Sequence, residues 1–142
     1  MNYVVDAAVA LKWFVAEPMR PAALRLLDPN LALHAPDLIL VEMAGLARLK
    51  LRRGEMAAEQ AQEALRQAPG YFDTLHPARE HHERALQLSL ELGRPVEECC
   101  YLACAELLEA ALITADRDLA ALRSDLLAAP ILHLAALPAL TA

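Results

Sequence analysis

The sequence predicts an α/β fold, a three-layer α/β/α sandwich around a parallel sheet of four to five strands. Three observations carry this. Short apolar runs of strand length alternate with longer segments of helical periodicity, the order that gives a parallel sheet covered by helices. With 142 residues and 57% hydrophobic content, the chain can fill one sizeable core, and it exceeds the roughly 45–50% apolar content usual for soluble domains. No repeat, low-complexity stretch or linker breaks the alternation, so residues 1–142 read as a single domain.

The elements follow in order. NYVVD (2–6) is a short buried strand. Residues 7–15 form a helix with Ala7, Leu11 and Phe14 or Val15 on one side, stopped near Pro18. A second helix runs from about Pro18 to Leu27 and ends in the turn Asp28-Pro29-Asn30. LALHAP (31–36) is the second strand. Residues 37–53 form a long helix whose basic last turn suits the helix dipole and whose stop is Gly54. Residues 54–67 are a further helix, ended by Pro69-Gly70, and YFDTLH (71–76) is a candidate strand. Residues 77–92 read as a helix stopped by Gly93, and 96–109 as another. ALITA (111–115) is a buried strand, DRDLAALRSDLL (116–127) a helix and ILHL (131–134) the last strand. Right-handed crossovers then put the C-terminal ends of the strands on one edge.

Charge and composition narrow the function. A formal charge of −6 excludes a protein that binds polyanions with its whole surface, so any nucleic-acid contact needs a local basic patch. The apolar N-terminus lacks a basic lead-in, so no secretory leader is expected, and no apolar run approaches the roughly 18 residues of a membrane span. Cys99, Cys100 and Cys104 share one helix, with no CxxC pair or adjacent His to suggest zinc. They read as buried thiols of a reducing cytoplasm. The apolar surplus points to a self-associating chain or a bound partner.

Several acids stand where such a sheet collects ligands. Asp6 ends the first strand and Asp116 follows the strand ALIT, and open parallel sheets bind at the carboxyl ends of their strands. Each also precedes a helix and could cap it. Glu42 shares a helix face with Leu38, Gly45, Leu46 and Leu49, a stripe expected to face the sheet. Its carboxylate then stands at an apolar boundary, where an unpaired charge costs several kcal/mol; the plain alternative is a rim Glu paired with Arg48 or Lys50. Glu97 and Glu98 follow Arg94-Pro95-Val96 at a helix start, where the dipole favours acids in any protein.

Together these acids say more than they do singly. The two strand ends and the helices carrying Glu42 and Glu98 can converge on one edge. Two carboxylates about 4 Å apart repel by roughly 4 kcal/mol at an effective dielectric near 20. A pocket of four needs a compensating cation. Oxygen-only donors suit Mg²⁺ or Mn²⁺ rather than Zn²⁺, so Asp6 is expected to be a metal ligand.

VVDAAVALKWF, PDLILVEMAGLARLK, GRPVEECCYLACAE and LITADRDLAAL, in that order, resemble the motifs of the PIN-domain family. More narrowly, they resemble its VapC-type toxins from toxin–antitoxin pairs, over essentially the whole chain. The resemblance implies a parallel sheet of four or five strands between helices and acids that hold Mg²⁺ or Mn²⁺. It also implies endoribonuclease activity, a small antitoxin that blocks the site, and dimerisation. Carried over by position, Asp6 is the first metal-binding acid, and Glu42 is the second acid, which positions the attacking water. Glu98 and Asp116 are the third and fourth acids and further metal ligands. Asp118 is an auxiliary acid, Thr114 a polar strand-end residue beside the site, and Glu97 a substitute ligand if the helix register slips by one. Two positions depart from the family pattern. Ala8 stands where a Ser or Thr is common, and Glu98 where Asp is usual.

RNA would need cations beside such a pocket. Lys12, Arg48, Lys50 and Arg117 are the candidates for phosphate contact, with Arg52 and Arg53 completing a basic helix end; ordinary solvated surface charge is the alternative for each. Trp13 and Phe14 read as core rather than as base-stacking residues. His76, His81, His82 and His133 form no catalytic set and are expected at the surface. The competing function is a PIN-like protein that binds RNA or an antitoxin without cutting, a reading prompted by Ala8 and Glu98. A phosphoacceptor domain built on Asp6 is disfavoured, because no Lys ends a following strand.

Overall fold

In the computed structural model, which describes residues 1–137, five strands form one parallel sheet. They are β1 (Asn2–Val5), β2 (Ala32–Pro36), β3 (Thr74–His76), β4 (Ala111–Thr114) and β5 (Ile131–His133), in the order β3-β2-β1-β4-β5. The chain starts in the central strand, builds outward to β3, and returns across the sheet to β4 on the other side of β1. Tyr3 pairs with Leu33 of β2 on one side and Ala111 of β4 on the other. The gap between the C-terminal ends of β1 and β4 is therefore a topological switch point, the place where open α/β sheets bind ligands.

Among the described residues seven helices accompany the sheet: α1 (Ala7–Leu11), α2 (Arg20–Arg25), α3 (Ile39–Arg52), α4 (Ala58–Gln67), α5 (His82–Leu92), α6 (Val96–Leu108) and α7 (Arg117–Ala120). Helices α1, α3 and α4 pack in sequence on one another, while α5 lies on α6, which crosses β1, β2 and β4. Right-handed crossovers place these two groups on opposite faces, which gives the expected three layers. Residues Cys99 to Ala105 of α6 are all buried, because this helix is sandwiched between the sheet and α5. The single-domain expectation extends to residue 142, and its last five residues lie outside the described ones.

Every expected strand and helix is present, but several ends differ. Helix α1 stops at Leu11 rather than 15, since the N–H groups of Lys12, Trp13 and Phe14 reach back only three residues. Met19 takes a left-handed conformation (φ 67°) after Pro18, so α2 begins at Arg20. Residues 68–71 continue α4 as a 3₁₀ turn, and the pairing with β2 opens through Asp73. Its N–H donates to the Leu33 carbonyl, and its carboxylate accepts the Leu33 N–H, both at 2.8 Å. Strand β3 is consequently reduced to Thr74–His76. Helix α7 is a single turn, since the Leu122 N–H reaches back only three residues, to the Leu119 carbonyl.

The core confirms some side-chain expectations and corrects others. Cys99, Cys100 and Cys104 are free and buried, and burial pushes their thiols up, Cys99 to about 11 and Cys104 to about 12, so they are not nucleophiles. Trp13 is buried and donates its indole N–H to the Ala23 carbonyl at 2.9 Å. Phe14 stacks on Tyr71. His81, expected at the surface, is only 2% exposed, because it opens α5 beneath the 3₁₀ turn Ala78–Glu80. Among the described residues neither of its ring nitrogens has a hydrogen-bond partner. No helix among the described residues is long and apolar enough to cross a membrane.

Candidate active site

The acids at the ends of β1 and β4 are placed by local backbone chemistry. Asp6 is the first residue beyond β1. Its N–H donates to the Ile113 carbonyl of β4 at 3.3 Å, and its carboxylate caps α1 by accepting the Val9 N–H at 2.9 Å. Asp116 caps α7 in the same way, with Oδ1 accepting from the N–H groups of Asp118 and Leu119 at 2.9 and 3.2 Å. The capping alternative is thus a fact of the structure for both residues, and each acid spends one oxygen on it. The buried Thr114 ties the two together, lying beside the Asp6 carboxyl while its hydroxyl accepts the Asp116 N–H at 3.1 Å.

Helix α3 supplies Glu42, on a different face from the one expected. The residues that face the core are Ile39, Met43 and Ala47. Glu42, Gly45, Leu46 and Leu49 instead line an open cleft, one helical position around. Glu42 is half-buried there and pairs with neither Arg48 nor Lys50. It accepts a 2.6 Å hydrogen bond from the Tyr101 hydroxyl of α6.

The cleft has a volume of about 590 Å³ and brings together Asp6, Glu42, Glu98 and Asp116. Ala8, Leu46, Leu49 and Leu119 make its apolar wall, and Arg48 stands at its edge. Glu97 and Asp118 are exposed and do not line it. Burial pushes the Asp6 carboxyl up to about 6; the Thr114 hydroxyl and Val9 N–H oppose the rise, and the charges of Glu42 and Asp116 add to it. Glu42 is also raised, by burial first, against the Tyr101 hydrogen bond and with the repulsion of Glu97 and Glu98. Carboxylates that raise one another in this way mark a pocket short of positive charge.

The donor chemistry fits a hard divalent cation, because every candidate ligand offers carboxylate oxygen. Even so, among the described residues no three acidic, His or Cys side chains are arranged to hold an ion as they stand. Glu98 is already engaged. It accepts from Arg94 Nε at 2.7 Å, and Arg94 Nη2 also lies 3.8 Å from Asp116 Oδ2. Asp6 and Asp116 would hold the ion, with Glu98 joining them on leaving Arg94.

The expected phosphate contacts divide. Arg48 and Arg117 are exposed, and Arg48 lines the cleft. Lys12 is buried and paired with Glu17 at 3.1 Å, and Lys50 is paired with the same Glu17 and, at 3.7 Å, with Glu55. These two lysines lock the end of α1 to α3 rather than standing free. Two site residues were not anticipated. Tyr101 lies three residues after Glu98 on the same helix, which places both on one face, and that spacing was readable. Arg94 stands four residues before Glu98, ion-pair spacing that crosses a helix start and so carries little signal.

Residues 3–124 match the family model described as PIN domain. The chain is 32% identical over 122 residues to Ribonuclease VapC3 of Pyrobaculum aerophilum, covering 84% of this chain and 93% of the relative. Its structure resembles that of VapBC2 from Rickettsia felis bound to a DNA fragment from its promoter. The TM-score is 0.64 at 12% identity, covering 94% of this chain and 98% of the other. A toxin–antitoxin complex from Klebsiella pneumoniae gives 0.62 at 21% identity, with coverage of 84% and 92%. PAE2754 from Pyrobaculum aerophilum gives 0.62 at 22%, with coverage of 98% and 90%. The solved structures speak for the fold, and the family match spans most of the sequence. The chain belongs to the PIN-domain family.

Proposed function

We propose that this protein is a metal-dependent endoribonuclease, the toxin of a toxin–antitoxin pair, using Mg²⁺ or Mn²⁺ and restrained by a cognate antitoxin. The observation that carries the reading is the meeting of Asp6, Glu42, Glu98 and Asp116 in one cleft at the switch point of the sheet. The ribonuclease named among the relatives and the toxin–antitoxin complexes among the structural neighbours support it. When bound, the divalent ion supplies the positive charge that the carboxylates lack and favours negative charge building up on a phosphodiester.

The side chains would divide the remaining work. Glu42, with Oε1 taken by Tyr101, offers Oε2 to accept a proton from the attacking water. Water then displaces the 3′ oxygen in line, leaving a 5′ phosphate. Asp6 and Asp116 would hold the ion, Thr114 would orient Asp6, and Arg48 would meet a phosphate at the cleft edge. Val41 and Leu90, 75% and 77% exposed, leave apolar surface for a partner or a second copy, and sedimentation decides the homodimer.

One observation favours a second reading, a PIN-like protein that binds without cutting: Glu98 engages Arg94, and no hydroxyl stands at Ala8. Incubating the purified chain with mixed structured RNAs, in Mn²⁺ and then in chelator, separates the two. Cutting that stops with chelator supports the nuclease. Binding without cutting supports the alternative.

A further inference from the structure

We propose that Arg94 is the built-in cation of this site, holding Glu98 and Asp116 until a divalent ion displaces it. This rests on the metal-dependent reading above and concerns how the site is regulated. Arg94 follows Gly93, whose left-handed conformation (φ 67°) ends α5, and it precedes Pro95, which caps α6. Its carbonyl accepts the Ser89 hydroxyl at 2.7 Å and the Cys99 thiol at 3.9 Å, so the backbone beneath the guanidinium is tied to both helices. From that anchored base the side chain spans two elements. It donates to Glu98 at 2.7 Å and lies 3.8 Å from Asp116, which caps α7.

An ordinary surface pair joins one cation to one anion. Arg94 instead bridges two of the acids that the site would use as ligands, and it stands largely shielded at 23% side-chain exposure. A guanidinium stays charged at any working pH, so the bridge opens when a competing cation takes its place. The longer Glu98, standing where the family pattern has Asp, lines the cleft while its Oε2 accepts from Arg94. A site competent only while Arg94 is displaced binds its ion more weakly, in proportion to the fraction of time it is open.

Calorimetric titration of Mn²⁺ into the metal-free full chain tests this, comparing wild type with Arg94→Gln and Arg94→Lys. Arg94→Gln is expected to bind Mn²⁺ on the order of tenfold more tightly, and Mn²⁺ should raise its melting temperature further than it raises that of wild type. Arg94→Lys keeps the charge but cannot bridge both acids, so it should fall between them, and it decides the matter if the Gln variant does not fold. Equal or weaker Mn²⁺ binding by the folded variants overturns the proposal. RNA cleavage measured in parallel separates the two levels. If wild type binds Mn²⁺ and cuts while the variants bind no more tightly, the role of Arg94 alone falls. If no form binds Mn²⁺, the metal-dependent reading falls with it.

Discussion

Tyr101 of α6 donates its hydroxyl to Glu42 of α3 at 2.6 Å, joining residues 59 positions apart across the mouth of the cleft. Burial and the neighbouring Glu42 push the Tyr101 phenol far up, so it remains a donor at any working pH. One carboxylate oxygen of Glu42 is thereby fixed, and the other accepts no hydrogen bond among the described residues.

Tyr101→Phe keeps the ring and deletes that donor. The half-buried Glu42 regains water, so the expected stability loss is about 1–2 kcal/mol in urea denaturation. RNA cleavage should slow by about tenfold through kcat, with KM little changed, because the base is misplaced rather than the substrate. Glu42→Gln should cost on the order of 10²-fold or more, and adding Tyr101→Phe to it should cost little further. Additive losses would show that Tyr101 acts independently of Glu42.

Asp6 carries a pH prediction. Its carboxyl rises from 3.8 to about 6, chiefly through burial, so between these values the folded form holds a proton that the unfolded chain has lost. The metal-free protein therefore gains stability as pH falls through about 6 and loses it above. The full shift corresponds to about 3 kcal/mol, and water in the cleft should reduce this to about 1–2 kcal/mol. Asp6→Asn retains an oxygen to cap α1 and removes the charge. In chelator at neutral pH the variant should be the more stable protein, and the advantage should vanish near pH 4. Thermal melts across that range check it, and a variant less stable at neutral pH would mean that capping outweighs repulsion.

His81 behaves in the opposite sense. Burial lowers its pKa below the ordinary 6.5, so the unfolded chain takes up a proton there before the folded one does. The stability associated with neutral His81 is complete above that value and is lost as pH falls below it. His81→Phe fills a similar volume without two unpartnered ring nitrogens. It should raise stability by about 1 kcal/mol at neutral pH, and by more in mild acid, as read by urea denaturation at two pH values. A loss at both values would indicate that the ring has partners in solution.

The lysines separate structure from substrate binding. Glu17→Ala leaves the buried Lys12 without its partner and should cost about 3 kcal/mol. Arg48→Ala should leave stability within about 0.5 kcal/mol while weakening RNA binding and reducing its salt dependence by about one counterion. Filter binding over a salt series distinguishes these. Equal salt slopes for wild type and Arg48→Ala would remove Arg48 from the RNA path.

How much of this was legible follows from which side chains speak alone. YVV and LIT are buried on both faces, so they read as unbroken apolar runs, and the acids just beyond them read as strand-end residues. The face of α3 was not legible in the same way. Its Leu-rich sequence offers two apolar stripes, and only the fold decides that Ile39, Met43 and Ala47 take the core while Glu42 and Leu49 take the cleft. Helix ends depended on backbone conformations such as that of Met19, which no residue pattern announces. Lys12, Tyr101 and Arg94 acquired their roles from partners supplied by other elements. The burial of His81 is not legible in the sequence, because a polar ring normally stays wet and here packing at the start of α5 overrides that preference.

The most direct measurement is cleavage of structured RNA by the purified wild-type chain and by Asp6→Asn, each in Mn²⁺ and in excess chelator. The account predicts 5′-phosphate fragments from wild type in Mn²⁺ alone and none from the folded variant. Undiminished cutting in chelator, or cutting by Asp6→Asn at the wild-type rate, would contradict it.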